Sequence, residues 1–370
     1  MVKNILKNLL LLMITVSILL VFTEVLFHFF LFPYYATYIP DENLVYRMGE
    51  NLDMPHEGAR IGHVVTNDAG FVYQNPQIER STDKRIFILG DSFAMGLYIE
   101  PEKRFSRLVE KKLNNEFEES YEVLSYGAGS WGTANQFKYL ENALKYNPDQ
   151  LIMPYYNNDL ENVASTFLLA FKDDKVIDLT PVKIPFIKKT LLNCARFLNT
   201  CHWTVRFYAA HNDKLGRFVR LIGVGAKPKI SQKSVNFGVD PYTKESNEAV
   251  ELAWRNTALI LRDMKETLDE KNVSFSIVYV PAKLEIQKTD FDLFLQQNNL
   301  KAENVSITSY AEKLGEIAEE LGINFFDPSQ ALIEGAKDGD VYYPDDFHFN
   351  ENGETVFSEF VYDAVVFSKP

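Results

Sequence analysis

The chain has 370 residues, 46% apolar and 24% charged, room for two or three domains or one large domain with insertions. That composition excludes a disordered chain, a collagen-like chain and a disulfide-built miniprotein. Lys and Arg number 38 against 51 Asp and Glu, a net charge of −13, and an acidic chain is a poor partner for nucleic acid, whose phosphates need clustered cations. If the stretch between Cys194 and Cys201 is helical, their Cα atoms stand roughly 10 Å apart, beyond disulfide reach. The pair is compatible with an oxidising compartment without requiring one. No Cys/His cluster has zinc spacing, so neither a metal nor a cofactor is expected.

From Leu9 to Phe32 the chain is apolar, with Glu24 the only formal charge. At 1.5 Å per residue the run is about 36 Å long, enough to cross a hydrocarbon core of roughly 30 Å. Lys3 and Lys7 precede it, so the positive-inside rule predicts a cytoplasmic N-terminus and an extracytoplasmic remainder. Phe27, Phe29, Phe30, Tyr34 and Tyr35 form the expected outer aromatic belt, with Glu24 near that interface. A cleaved signal peptide is the competing reading, disfavoured by the length of the run and the lack of a small-residue cleavage site. A buried core helix is disfavoured because the run is apolar on every face.

Residues 1–35 are thus read as an anchor and 36–84 as a linker with a short β-rich lead-in. The remainder, 85–370, reads as one α/β domain. Arg85–Gly90 is a buried strand, Pro101 opens a helix, Glu122–Tyr126 is a second strand, and a helix covers about 134–146. Leu151–Tyr156 is a third strand, 246–271 an amphipathic helix and Val273–Val280 a fourth strand. A helix over 306–321, a strand over Ile323–Phe326 and a helix from about Gly353 complete the alternation. It predicts a parallel sheet covered by helices on both faces, with ligands at the carboxyl ends of the strands.

The chemistry-bearing residues fall in those loops. Ser92, in Gly90-Asp91-Ser92, follows a buried strand and opens a helix, the place of a nucleophile whose N–H faces an oxyanion, or of an ordinary N-cap. The second loop, 125–133, is rich in glycine and brings backbone close to a partner. The third carries Asn158, an oxyanion donor or a turn-forming amide. Near the C-terminus Asp345, Asp346 and His348 stand together, supplying the base and the carboxylate that a serine nucleophile needs.

These four pieces, in this order, resemble the SGNH hydrolases, also called GDSL-type esterases, over roughly residues 65–365. The resemblance implies a flavodoxin-like three-layer sandwich around a parallel sheet. It implies Ser92 as nucleophile, His348 as base, Asp345 as its orienter, and an oxyanion hole from Ser92, Gly129 or Ser130, and Asn158. Three positions depart from the family pattern. Ser130 stands where the second-block glycine falls, one after Gly129, and Ser125 replaces the Asn five before it. Asn157 also takes the place of a Gly that often precedes the third-block Asn. Asp91, Trp131 and Asp159 are candidate substrate contacts on the same loops.

An insertion over about 163–245 separates the third and fourth strands. Between Lys172 and Lys233 it holds 13 Lys and Arg against 4 Asp, with Trp203, Phe207 and Tyr208 among them. Arg217, Arg220, Lys227 and Lys229 make it either a binder of an anionic polymer or headgroup, or a plain solvated cap. Three functions follow: an esterase acting on O-acetyl groups of a cell-surface carbohydrate, an O-acyltransferase with the same triad, or a silent anchored binding module. No nucleic-acid partner is expected, and oligomeric state is not legible.

Overall fold

The computed structural model describes residues 2–30, 37–55, 63–96, 98–184, 186–195, 198, 200–201, 235–245 and 247–368. The apolar N-terminal stretch is helix α1 (Val2–Phe30). Its residues 4–26 are long and apolar enough to cross a membrane, and the large apolar side chains of that span stand exposed. Two short antiparallel pairs follow, β1 (Tyr38–Asp41) with β2 (Val45–Met48), and β3 (Asp53–Pro55) with β4 (His63–Val65).

The domain proper alternates strand and helix. It runs through β5 (Lys84–Gly90), α2 (Ser92–Met95), α3 (Phe105–Glu116), β6 (Tyr121–Gly127), α4 (Thr133–Leu144), β7 (Gln150–Tyr155) and α5 (Asn157–Ser165). The hairpin β8 (Leu169–Lys172) and β9 (Lys175–Asp178), then α6 (Phe186–Ala195), open the insertion. After it come α7 (Glu248–Glu270), β10 (Ser274–Tyr279), α8 (Lys283–Ile286) and α9 (Lys288–Asn298). The chain closes with α10 (Ser309–Leu321), β11 (Asn324–Phe326), α11 (Ser329–Asp338) and α12 (Glu351–Phe367). Five strands make one parallel sheet in the order β11-β10-β7-β5-β6. Counted within the sheet that is 2-1-3-4-5, the flavodoxin-like order.

Both faces of the sheet are buried, which is why its strands read as continuous apolar runs rather than alternating ones. On one face Ile86, Ile88 and Val278 pack with Phe105, Val109, Phe357 and Val361 of α3 and α12. On the other, Phe87, Leu89, Met153 and Ile277 pack with Tyr139, Leu261, Met264 and Leu314 of α4, α7 and α10. The result is a three-layer sandwich whose strand ends all point to one rim.

The two cysteines depart from the expectation. They form a disulfide with Cα atoms 5.8 Å apart, because α6 ends at Ala195 and does not run as one helix from one cysteine to the other. This segment lies against α1 and β1. Glu24 accepts hydrogen bonds from the Thr200 N–H (2.9 Å) and hydroxyl (2.8 Å), and the Lys189 ammonium is 3.2 Å from Glu42. Trp203, Phe207, Tyr208, Arg217, Arg220, Lys227 and Lys229 lie outside the described residues, as do Tyr34 and Tyr35 of the aromatic belt.

Candidate active site

Ser92 begins α2 directly beyond β5, so its side chain stands at the carboxyl rim of the sheet. The turn is fixed from two sides. Asp91 caps the helix, its carboxylate accepting from the Phe93 N–H at 2.9 Å. Ser125, where the family pattern has Asn, donates its hydroxyl to the Ala94 carbonyl at 2.6 Å. Gly127 closes the neighbouring strand, and a Cβ there would lie 2.2 Å from the Asp91 carbonyl, so only glycine lets β6 approach this turn.

His348 lies opposite, its Nε2 2.8 Å from Ser92 Oγ. Its Nδ1 is 2.5 Å from an Asp346 carboxylate oxygen, which also accepts the His348 backbone N–H at 2.9 Å. Here the expectation of Asp345 is corrected. The loop bends so that the Tyr343 N–H bonds the His348 carbonyl and the Asp346 N–H bonds the Tyr343 carbonyl. That bend lets Asp346 fold back on the residue two beyond it, as Asx turns do, while Asp345 is exposed. Phe93, Tyr98 and Phe347 surround the imidazole, with ring centroids 5.1, 4.8 and 4.3 Å away. None of the three was singled out from sequence, since aromatic residues on a loop read as core. Burial lowers the His348 pKa below its ordinary value, opposed by the Asp346 carboxylate.

Three candidate substrate contacts are corrected to structural roles. Trp131 is fully buried, its indole N–H donating to the Tyr46 carbonyl at 3.0 Å. Asp159 is equally buried and accepts from Thr133, Gln136 and the Tyr156 N–H, holding the start of α5. Asp91 is spent on α2 and is 1% exposed. Burial pushes Asp91 up to about 6. It raises Asp159 further, with the Asp91 charge adding to the effect.

The second loop is tied to the lead-in segment. The Gly129 N–H donates to the Tyr38 hydroxyl (3.2 Å) and its carbonyl accepts from Tyr46 (2.8 Å). Ser130, exposed at φ 62°, follows it. Asn158 sits in the first turn of α5, its Nδ2 3.4 Å from the Trp131 carbonyl. Its Oδ1 is buried with no partner among the described residues. No metal-binding group of three His, Cys, Asp or Glu occurs among the described residues.

Residues 242–367 match the family model described as SGNH hydrolase-like domain, acetyltransferase AlgX. No match is found among curated proteins. Among solved structures the chain is similar to TesA, at 11% identity over 76% of this chain and 98% of that one (TM-score 0.41). A lipase/acylhydrolase from Enterococcus faecalis is similar at 12% identity over 78% and 98% (0.41). An acetylxylan esterase from Geobacillus stearothermophilus matches at 12% over 78% and 96% (0.41).

The sheet order defines an α/β three-layer fold of the flavodoxin-like kind. Within the chain, residues 242–367 are similar to an SGNH hydrolase-like domain.

Proposed function

We propose that the protein is a membrane-anchored serine esterase that removes O-acetyl groups from a cell-surface carbohydrate. The observation that carries this reading is the continuous chain from Ser92 Oγ through the imidazole of His348 to Asp346, at 2.8 and 2.5 Å. In the first half-reaction Ser92 Oγ attacks the ester carbonyl carbon while His348 Nε2 takes the hydroxyl proton and Asp346 holds the Nδ1–H. The oxyanion is met by the Ser92 N–H, which as the first of a helix has no intrahelical acceptor. The Asn158 amide, in the first turn of α5, supplies a second donor in this reading. Collapse breaks the C–O bond, and the alcohol leaves with the proton from His348. Water then attacks the acyl-Ser92, gives its proton to His348, and releases the acid as the proton returns to Ser92.

A second reading, acyl transfer to a sugar hydroxyl in place of water, is favoured by the acetyltransferase in the description of the matched family. Both share the acyl-enzyme. Ser92→Ala should therefore lose ester cleavage by about three orders of magnitude or more. Intact mass should show an acetyl adduct on the wild type with activated acetyl esters and none on the variant. An unchanged rate would overturn the assignment. Product analysis with and without oligosaccharide acceptors separates the two readings.

The anchor reading rests on the apolar helix, on Lys3 and Lys7 before it, and on the Cys194–Cys201 bridge, which fits an oxidising compartment.

A further inference from the structure

One phenol of the lead-in segment bridges two elements that flank Ser92. The Tyr38 hydroxyl accepts the Gly129 N–H at 3.2 Å and donates to Met95 Sδ at 3.8 Å. Met95 is the last residue of α2, the helix that Ser92 opens, and its side chain is buried. Gly129 belongs to the second loop, where a Cβ would stand 2.6 Å from the Tyr38 hydroxyl oxygen. Within 4 Å that Cβ would meet only Tyr38. This glycine therefore answers to one side chain.

The same hairpin grips the loop at three further points. Tyr46 donates its hydroxyl to the Gly129 carbonyl at 2.8 Å, and its own carbonyl accepts the Trp131 indole N–H at 3.0 Å. The Asn135 amide donates to the Leu44 carbonyl at 2.8 Å. The rings of Tyr38 and Tyr46 pack edge to face, with centroids 5.4 Å apart. Both backbone groups of Gly129 are thus satisfied by side chains of β1 and β2. The grip extends to Asn158, whose Nδ2 lies 3.4 Å from the carbonyl of Trp131 on this loop. Burial pushes the Tyr38 phenol up to about 12, against the pull of the Gly129 N–H. It stays neutral wherever His348 titrates.

We infer that Tyr38 is a positioning residue for the oxyanion hole, a hydroxyl bridge that fixes α2 against the second loop. Through Met95 it bears on the helix that carries the Ser92 N–H, and through Gly129 on the loop against which Asn158 rests. The inference rests on the esterase reading and deepens it. The segment between α1 and the α/β domain belongs to the active site and is more than a linker.

The test uses the full chain in detergent, with p-nitrophenyl acetate as substrate and rates expressed per Ser92 titrated by a phosphonate. Tyr38→Phe keeps the ring and removes the bridge. It should lower kcat about tenfold and leave KM within about twofold, because the oxyanion forms only in the transition state. Affinity for a trifluoromethyl ketone, which forms a tetrahedral oxyanion adduct on Ser92, should fall by the same factor. The acid limb of the pH–rate profile should not move, since the His348–Asp346 pair is untouched. Gly129→Ala supplies a second arm. Its methyl group meets the Tyr38 hydroxyl, so it should cost about tenfold in the wild type and no more than about twofold in the Tyr38→Phe background. Undiminished kcat in Tyr38→Phe, a loss confined to KM, a shifted acid limb, or additive losses in the double variant would overturn the bridge. The esterase reading fails separately, if Ser92→Ala still cleaves acetyl esters.

Discussion

His348 is buried against Phe93, Tyr98 and Phe347, and desolvation lowers its pKa while Asp346 works against it. The base must be neutral to accept the Ser92 proton, so the acid limb of kcat/KM should lie below the ordinary imidazole value of about 6.5. Removing the carboxylate that raises the pKa moves the limb further down. Asp346→Asn should therefore shift the acid limb to lower pH and cut turnover on a small acetyl ester by about 10²–10⁴-fold. Asp345→Asn should cost far less. A pH–rate series on both variants checks this, and the reverse ranking would return the orienting role to Asp345. The residue types at this site were legible because Ser92 and Asn158 each follow a strand end and His348 stands in the loop before the last helix, all in the expected order. Choosing between adjacent aspartates was not, since it depends on which side chain a turn directs inward. Asp91, Asp159 and Trp131 misled for a related reason. Polar and aromatic residues on catalytic loops also cap helices and fill space, and only burial and hydrogen-bond partners tell the two uses apart.

Elements with long apolar runs or strong amphipathic faces were legible to within a few residues, as β5, β7, β10 and α7 illustrate. The short helices α8 and α9 and the hairpin β8–β9 were not, because each leans on tertiary partners more than on its own periodicity. Glu285 shows how. It lies in α8, 7% exposed, and accepts from the Tyr242 hydroxyl (2.7 Å), the Tyr279 hydroxyl (2.8 Å) and the Ala282 N–H (3.1 Å). One carboxylate thus joins the end of the insertion, a core strand and the start of a helix. Burial raises its pKa from 4.5 to about 7, against the pull of these donors. A raised carboxyl pKa favours the folded state at low pH, and that contribution is lost as pH rises from about 4.5 through about 7. Glu285→Gln, which keeps an acceptor and never ionises, should flatten this part of the pH dependence of Tm. Glu285→Ala leaves two buried phenols without an acceptor and should destabilise the fold by about 3 kcal/mol. Parallel Tm-against-pH curves for wild type and Glu285→Gln would refute the assignment.

Across the whole molecule, the end of the apolar helix meets the disulfide-bearing residues at the start of the insertion. Glu24, the only charge in the apolar stretch, is held by Thr200, adjacent to Cys201 of the bridge. A carboxylate in a membrane segment is costly unless it reaches the interface or a partner, and here it has two donors from one residue of the insertion. The arrangement argues that the far end of α1, rather than its middle, abuts the folded domain, with the disulfide-bearing segment lying at the membrane surface. On the anchor proposed above, Lys3 and Lys7 at the other end would set the orientation by the positive-inside rule, N-terminus inside and domain outside. The full-length chain should accordingly stay in the membrane fraction through carbonate extraction. Protease added from the extracytoplasmic side should digest the domain, and Cys194 and Cys201 should react with maleimide only after reduction. Glu24→Leu should leave the chain in the membrane, because it removes a charge from an apolar helix, but should make the Cys194–Cys201 segment more accessible to protease. A soluble mature protein starting after about residue 30 would identify the helix as a cleaved leader. A domain shielded from external protease, with both thiols free in the intact cell, would invert the topology and place the active site on the cytoplasmic side.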